Sequence, residues 1–440
     1  MFKQQFIKEI FIKMPVIIIL MAGCAWVFAA QDSETLSLDE AINQAVLNDD
    51  WLTANEFREQ ALREEATFVG ELPDPRMMVS LMNLSANSFD FNQEPMTQFR
   101  IGVSQAFPKG ETRELSRERK ILQSETNPFL REERRANVAL QVTMLWLNAY
   151  MSQETINLIN ADRELFEQLV DITDTRYRNA AGPARQQDLV RAQLELTRLD
   201  DRLTGLRQRE EENRQALSRW IPFELLNLPF PGDLSPVSVP DQDFSSLAQA
   251  SAVFMKHPKV LALDKQIEVS RTGVELARQN YKPGFNLGAS YGYREDGPFG
   301  MQRDDFISLE VSFDLPLFTE NRQKPKVEAA SNVAAAIQTD RIVLLKSLFA
   351  DYQKARAQLA VLEDRQSLYD ETLLAQINDL TEATLAAYTA DEGDFAEVMR
   401  AYISELNARI DLLGITVERA KVLATLQYLF TSSNYDEARR

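Results

Sequence analysis

The sequence predicts a mainly α fold with a small membrane β part: a duplicated unit of long coiled-coil hairpins, with two short strands in each copy. Three observations carry this. First, the chain repeats itself. Val103-Ser104-Gln105-Ala106-Phe107-Pro108 and Val311-Ser312-Phe313-Asp314-Leu315-Pro316 close two alternating segments 208 positions apart. Their flanks keep the same order: Ser37-Leu38 answers Ser246-Leu247, Pro73 answers Pro283, and Tyr177…Gly182…Arg191-Ala192 answers Tyr388…Gly393…Arg400-Ala401. A spacing this long exceeds solenoid periods, so it marks a duplicated domain. Second, Leu189, Ala192, Leu196, Leu199, Leu203 and Leu206 alternate by three and four, as do Ile403, Leu406, Ile410, Leu413, Val417, Ala420 and Ala424, which is a coiled-coil seam. Third, four short segments alternate apolar with small or polar residues.

Residues 1–30 read as an export signal, with Lys3, Lys8 and Lys13 before the apolar stretch Pro15–Ala22 and small residues for cleavage around Ala29. Cys24, the only cysteine, follows Met21-Ala22-Gly23 in a lipoprotein-like box and is a candidate acylation site. The apolar run continues past it, so removal with the leader is the competing reading. The first repeat, 31–220, opens with a helix over Ser37–Val69 that starts on the capping-box pattern Ser37-Leu38-Asp39-Glu40. Pro73 and Pro75 end it. Strands are expected at about 76–84 and 97–107, then a helical hairpin at about 112–220 whose first arm would reach roughly 100 Å at ~1.5 Å per residue. Asn127-Pro128 predicts a kink or restart in that arm. Residues 221–244 hold five prolines and read as a linker without regular structure. The second repeat, 245–440, predicts strands at about 284–294 and 305–315 and a hairpin at about 319–430.

In the strand segments one parity is apolar: Phe99, Ile101 and Val103; Phe285, Leu287, Tyr291 and Tyr293; Ile307, Leu309, Val311 and Phe313. The other is small or polar, including Arg100, Asn286, Glu310 and Asp314. About 9–11 residues suffice to cross a bilayer as a tilted strand, and this alternation suits a barrel with a wet lumen. An ordinary sheet would also alternate. Four strands cannot close a barrel, since about eight is the practical minimum, so strands would have to be pooled between chains.

Composition excludes other classes. With 45% hydrophobic and 26% charged residues the chain folds rather than remaining disordered. Its charge is −18, and with a leader of +2 the mature chain carries about −20, which argues against nucleic acid and anionic membrane surfaces as partners. No phosphate loop, Ser/His/Asp set or His/Cys metal cluster appears, so neither an enzyme nor a cofactor is expected. His257, the only histidine, precedes Pro258 at a helix boundary and reads as structural. Met77, Met78, Met82 and Met96 gather near the first strand pair, where thioethers suit soft Cu(I) but also serve as apolar filler.

Leu38-Asp39-Glu40-Ala41, Leu72-Pro73-Asp74-Pro75-Arg76, Ser104-Gln105-Ala106-Phe107-Pro108, Arg176-Tyr177…Ala181-Gly182…Asp188-Leu189…Arg191-Ala192 and Asp314-Leu315-Pro316-Leu317-Phe318 resemble, in this order, the landmarks of TolC-type outer membrane factors. That resemblance implies a homotrimer with a twelve-stranded β-barrel in outer membrane lipid and a periplasmic α-helical tunnel. It also implies docking of the hairpin tips to a periplasmic adaptor (membrane fusion) protein and an inner-membrane pump of the RND type. Segments 88–97 and 107–113 look most like members serving heavy-metal cation efflux. A type I protein-secretion duct shares the architecture, and a soluble periplasmic coiled-coil scaffold is the alternative from another class.

The candidate sites follow from the tips and the strands. Asp391, Glu392 and Asp394 bracket Gly393, and symmetry would make inward-facing members a carboxylate ring that attracts cations. The plain alternative is a solvated turn with Asp394 as a helix cap. Arg176, Gly182 and Asp188 are candidate gate or adaptor contacts at the other tip, with Gly393 in the same role at this one. Arg100, Asn286, Glu310 and Asp314 are the candidate lumen residues.

Overall fold

The computed structural model describes residues 35–178, 186–234, 239, 242–390 and 392–433. Residues 1–34 with Cys24, the segment 179–185 with Gly182, and Asp391 lie outside the described residues. The first half comprises α1 (Leu38–Leu47), α2 (Asp50–Gly70), β1 (Arg76–Met82), β2 (Gln98–Phe107), α3 (Thr112–Arg178), α4 (Gln186–Leu217) and the short α5 (Phe223–Leu226). The second comprises α6 (Leu247–Phe254), α7 (Pro258–Arg278), β3 (Phe285–Tyr293), β4 (Phe306–Phe313), α8 (Gln323–Leu368), α9 (Leu374–Thr389) and α10 (Phe395–Leu429). The architecture is long helical hairpins with a small four-stranded β part.

The two halves start alike. Ser37 caps α1 by accepting from the Glu40 N–H at 3.2 Å, and Ser246 caps α6 by accepting from the Gln249 N–H at 3.4 Å. The capping box is one-sided, because the Glu40 carboxylate takes the Gln44 amide at 2.9 Å instead of turning back. The helix expected over Ser37–Val69 is in fact two. It breaks at Asn48-Asp49, where Asn48 donates to the Trp220 carbonyl (3.1 Å) and Asp49 receives the Arg134 guanidinium at 2.6 and 3.0 Å. His257 stands at the matching corner before α7, fully buried, its Nδ1 accepting from the Lys259 N–H.

Pro128 does not break α3, which runs through it. The linker, expected to lack regular structure, contains α5, held by Arg214 donating to the carbonyls of Leu226 and Leu228 at 2.6 and 2.8 Å. A π-helical turn, Tyr369–Leu373, joins α8 to α9 where α3 is uninterrupted. Such turns insert an extra residue into a helix and often mark functional sites.

Near the sheet, α2 packs on α3, α3 on α7 and α7 on α8. Further along, α3 packs on α4 and on α10, and α10 on α8 and α9. Three clusters hold these helices. Trp146 anchors one, donating to the Leu36 carbonyl at 3.0 Å and stacking on Tyr150. The seam residues Ala192, Leu199 and Leu203 of α4 join Phe166, Leu406 and Ile410 in the second. Phe254, Tyr352 and Leu426 form the third.

Candidate functional site

The four strands form one antiparallel sheet in the order β1-β2-β3-β4. Their register sets residues in rows, among them Arg76–Ser104–Gly288–Glu310 and Ser80–Arg100–Gly292–Phe306. Every odd-numbered strand position therefore shares one face. That face carries Met77, Val79, Leu81, Phe99, Ile101, Val103, Leu287, Tyr291, Ile307, Leu309 and Val311, and none of the described residues covers it: Ile307 is 81% and Leu309 83% exposed. A contiguous apolar surface of this kind marks an interaction with another protein or with lipid. The outer ladders of β1 and β4 are unpaired, an edge that a folded chain normally covers or closes.

Apart from Met78, Met82 and Phe306, the even face is small and polar. Gly102, Gly288, Gly292, Ser104, Ser290, Ser308 and Ser312 dominate it, and Arg100, Asn286, Glu310 and Asp314 all lie on it or continue it. Arg100 donates from Nε to Ser290 Oγ at 2.6 Å. Asp314, just past β4, pairs with Lys109 at 3.2 Å.

Because the strands alternate in direction, all four helix connections leave from one end of the sheet and both strand–strand loops from the other. At the helix end, Gly110 has a left-handed backbone (φ 49°), and Glu111 N–H donates to Gln279 Oε1 at 3.1 Å. At the far end the loops are tied together. Arg294 donates to the Pro95 carbonyl at 3.2 Å, and Arg303 donates to those of Asn92 and Glu94 at 3.1 and 3.2 Å. Phe91 stacks on Tyr293. The sequence did not single out these arginines, because their partners are backbone carbonyls some 200 positions away.

At the second hairpin tip the geometry follows from Gly393. A Cβ there would press on the Tyr388 nitrogen and on Ala387, so only glycine lets the chain turn this tightly against the end of α9. Glu392 is exposed, its N–H donating to the Ala387 carbonyl at 3.0 Å. Asp394 is also exposed and caps α10, accepting from the Ala396 N–H at 3.3 Å. Capping employs one carboxylate oxygen without removing the charge. At the first tip, Asp188 is 95% buried in the first turn of α4 and Arg176 lies within the last turns of α3.

The polar ties within and between hairpins lie back from the tips, at residues without any sequence signature. Arg163 pairs with Asp200 at 2.7 Å, joining α3 to α4, and Arg202 donates to Asn407 Oδ1 at 2.8 Å, joining α4 to α10. Arg409 reaches Asp162 at 3.4 Å across α10 and α3, and also contacts the buried Glu405. Burial raises the Asp162 carboxyl above its ordinary range, and Arg409 partly offsets this. Among the described residues no group of three or more His, Cys, Asp or Glu could hold a metal ion, and no helix is long and apolar enough to cross a membrane.

Residues 251–430 match the family model described as outer membrane efflux protein. The fold is similar to crystal structures of outer membrane channels. The CmeC channel of Campylobacter jejuni is 12% identical with a TM-score of 0.73, the match covering 91% of this chain and 88% of that one. The MtrE channel of Neisseria gonorrhoeae, in its open state, is 17% identical with a TM-score of 0.67, covering 90% and 89%. CusC is 14% identical with a TM-score of 0.70, covering 91% and 93%. No curated protein sequence is significantly similar to the chain.

Proposed function

We infer that this chain, which matches the outer membrane efflux protein family model over residues 251–430, belongs to that family and is the outer membrane exit duct of a tripartite efflux system. The observation that supports this reading is the open sheet: one largely apolar exposed face with Gln105 as its exception, one mostly small and polar face, two edge strands, and helices leaving from a single end. Within a bilayer an unpaired edge would cost several kcal/mol per backbone group. Four strands per chain therefore require assembly. Three copies supply twelve strands, with the odd face toward lipid and the even face, including Arg100, Asn286, Glu310 and Asp314, toward the lumen.

In this reading the helical hairpins continue the pore into the periplasm. Their tips, with Glu392, Gly393 and Asp394 on one hairpin and Arg176, Gly182 and Asp188 on the other, meet the adaptor and the RND-type pump. The duct performs no chemistry. Adaptor binding favours an arrangement in which the hairpins part, and the Arg409–Asp162 and Arg202–Asn407 ties set what must yield or move together. The acidic tip favours cations, and the resemblance of segments 88–97 and 107–113 supports heavy-metal cations as the first cargo to try.

Two measurements on cells test this. Envelope fractionation should recover the protein from the outer membrane only with detergent, and crosslinking should capture an adaptor and an RND-type pump. Recovery with the soluble periplasm would favour the coiled-coil scaffold instead. Capture of an ABC-type exporter would favour the protein-secretion duct.

A further inference from the structure

We propose that the barrel seam between neighbouring copies is fixed by an ion pair in which Arg76 of one chain meets Glu310 or Asp314 of the next. The inference rests on the reading that copies of this chain close one barrel, and it names the contact that sets the register of closure. The two edges of the sheet are β1 and β4, so β4 of one copy must pair with β1 of another.

Within one chain Arg76 and Glu310 occupy the same row but stand on opposite edges, separated by Ser104 and Gly288. Three strand spacings of about 4.8 Å put them roughly 14 Å apart, beyond pairing distance. Both are exposed, and among the described residues neither has an ion-pair partner. They are also the only charged residues that β1 and β4 carry, since the remaining positions are Met, Val, Ser, Leu, Phe and Ile. Each edge thus presents one charge of opposite sign on the same face.

Parity restricts how the edges can meet. A one-residue slip would turn one strand's apolar side chains onto the polar face, so only registers that place even opposite even survive. Placing Arg76 opposite Ser312 pairs 306–312 with 76–82 and uses all seven residues of β1. Placing it opposite Glu310 pairs 306–310 with 76–80, and opposite Asp314 pairs 308–313 with 77–82. Any other same-face register pairs at most four residues, whereas the ladders inside the sheet pair at least seven.

In each of the three surviving registers Arg76 lies directly or diagonally opposite Glu310, Asp314 or both. Diagonal neighbours on one face are about 7–8 Å apart at Cα, within reach of a long side chain. Asp314 can take part while bound to Lys109, because its side chain is still 68% exposed. The nearest other charge on β1's side is Asp74, separated from the strand by Pro75.

The test uses full-length protein in detergent, in a Cys24→Ser background that leaves no native thiol. Cysteine at 76 is combined in turn with cysteine at 310, 312 or 314, and oxidative crosslinking between chains is scored. One of the three pairs should link chains into dimers and closed trimers. Separately, Arg76→Glu should lower the trimer fraction severalfold, and adding Glu310→Arg with Asp314→Arg should restore most of it. A wild-type trimer that conducts, but yields no crosslink from any of the three pairs or ignores Arg76→Glu, overturns the seam and leaves the duct standing. A wild-type protein that neither trimerises nor conducts overturns both.

Discussion

The side-chain amide of Asn127 donates to the backbone carbonyl of Ser124 at 3.2 Å, and to that of Gln123 at 3.3 Å. The next residue is Pro128, whose missing N–H would otherwise leave the Ser124 carbonyl without its helical partner. Asn127 supplies the lost donor from its side chain, and Asn55 of α2 fixes its orientation by donating to Oδ1 at 2.8 Å. This is why α3 passes through a proline. Asn127→Ala should cost about 1–3 kcal/mol, as expected for leaving buried polar groups unsatisfied. The cost should be smaller in a Pro128→Ala background, where the backbone N–H returns. Denaturant unfolding of the four variants measures this, and equal costs in both backgrounds would contradict the substitution of one donor for another.

Gly110 is constrained twice, by a left-handed backbone and by space, since a Cβ would overlap Lys282 Cδ and Gln279 Oε1. Gly110→Ala should lose at least about 1–2 kcal/mol from backbone conformation alone. Gly110→Asn tests the second constraint, because asparagine tolerates this conformation but not the overlap. Both variants should lower the thermal midpoint in detergent. An asparagine variant as stable as the wild type would show that only the backbone matters.

His257 gives the helical region a pH dependence of defined sign. Burial pushes its pKa down to about 4, with Lys259 acting in the same direction. The neutral ring is the form that caps α7, and it packs edge-on against Tyr428, whose hydroxyl donates to Glu133 at 3.1 Å. A folded pKa below the ordinary value of about 6.5 means that the native state binds fewer protons than the unfolded one. Its contribution is complete above pH 6.5 and is lost as pH falls toward 4, to a total of about 3 kcal/mol. His257→Asn retains a capping oxygen and should lose less stability between pH 6.5 and 4 than the wild type does. Identical pH profiles would exclude His257 as a source.

The acidic tip should set ion preference. Asp391→Asn, Glu392→Gln and Asp394→Asn together remove the charges, and the amide that replaces the Asp394 carboxylate still offers α10 a capping oxygen. Reversal potentials in a salt gradient should move toward zero cation preference. Unchanged selectivity would leave Asp394 only the capping role it plays toward Ala396.

Much of this fold was legible because its signals are local. Strand parity placed Ile307, Leu309 and Val311 on one face, Ser37 and Ser246 marked helix starts, and the seam around Leu199 and Leu203 is buried where the spacing predicts. What escaped depends on residues far apart in sequence. Pro128 looked like a break because Asn55, which orients the compensating Asn127 amide, comes from another helix. Asp49 ends a helix early because Arg134 competes for it. Arg409 and Asp162 carry no motif, and only the packing of α10 on α3 brings them together. The π-helical turn at Tyr369–Leu373 lies in a stretch that reads as ordinary helix.

The central claim is that copies of this chain close a conducting pore, and planar bilayers test it directly. Protein purified in detergent should insert and give discrete, long-lived conductance steps of uniform size. Protein that is trimeric and folded yet leaves the bilayer without conductance would contradict the account.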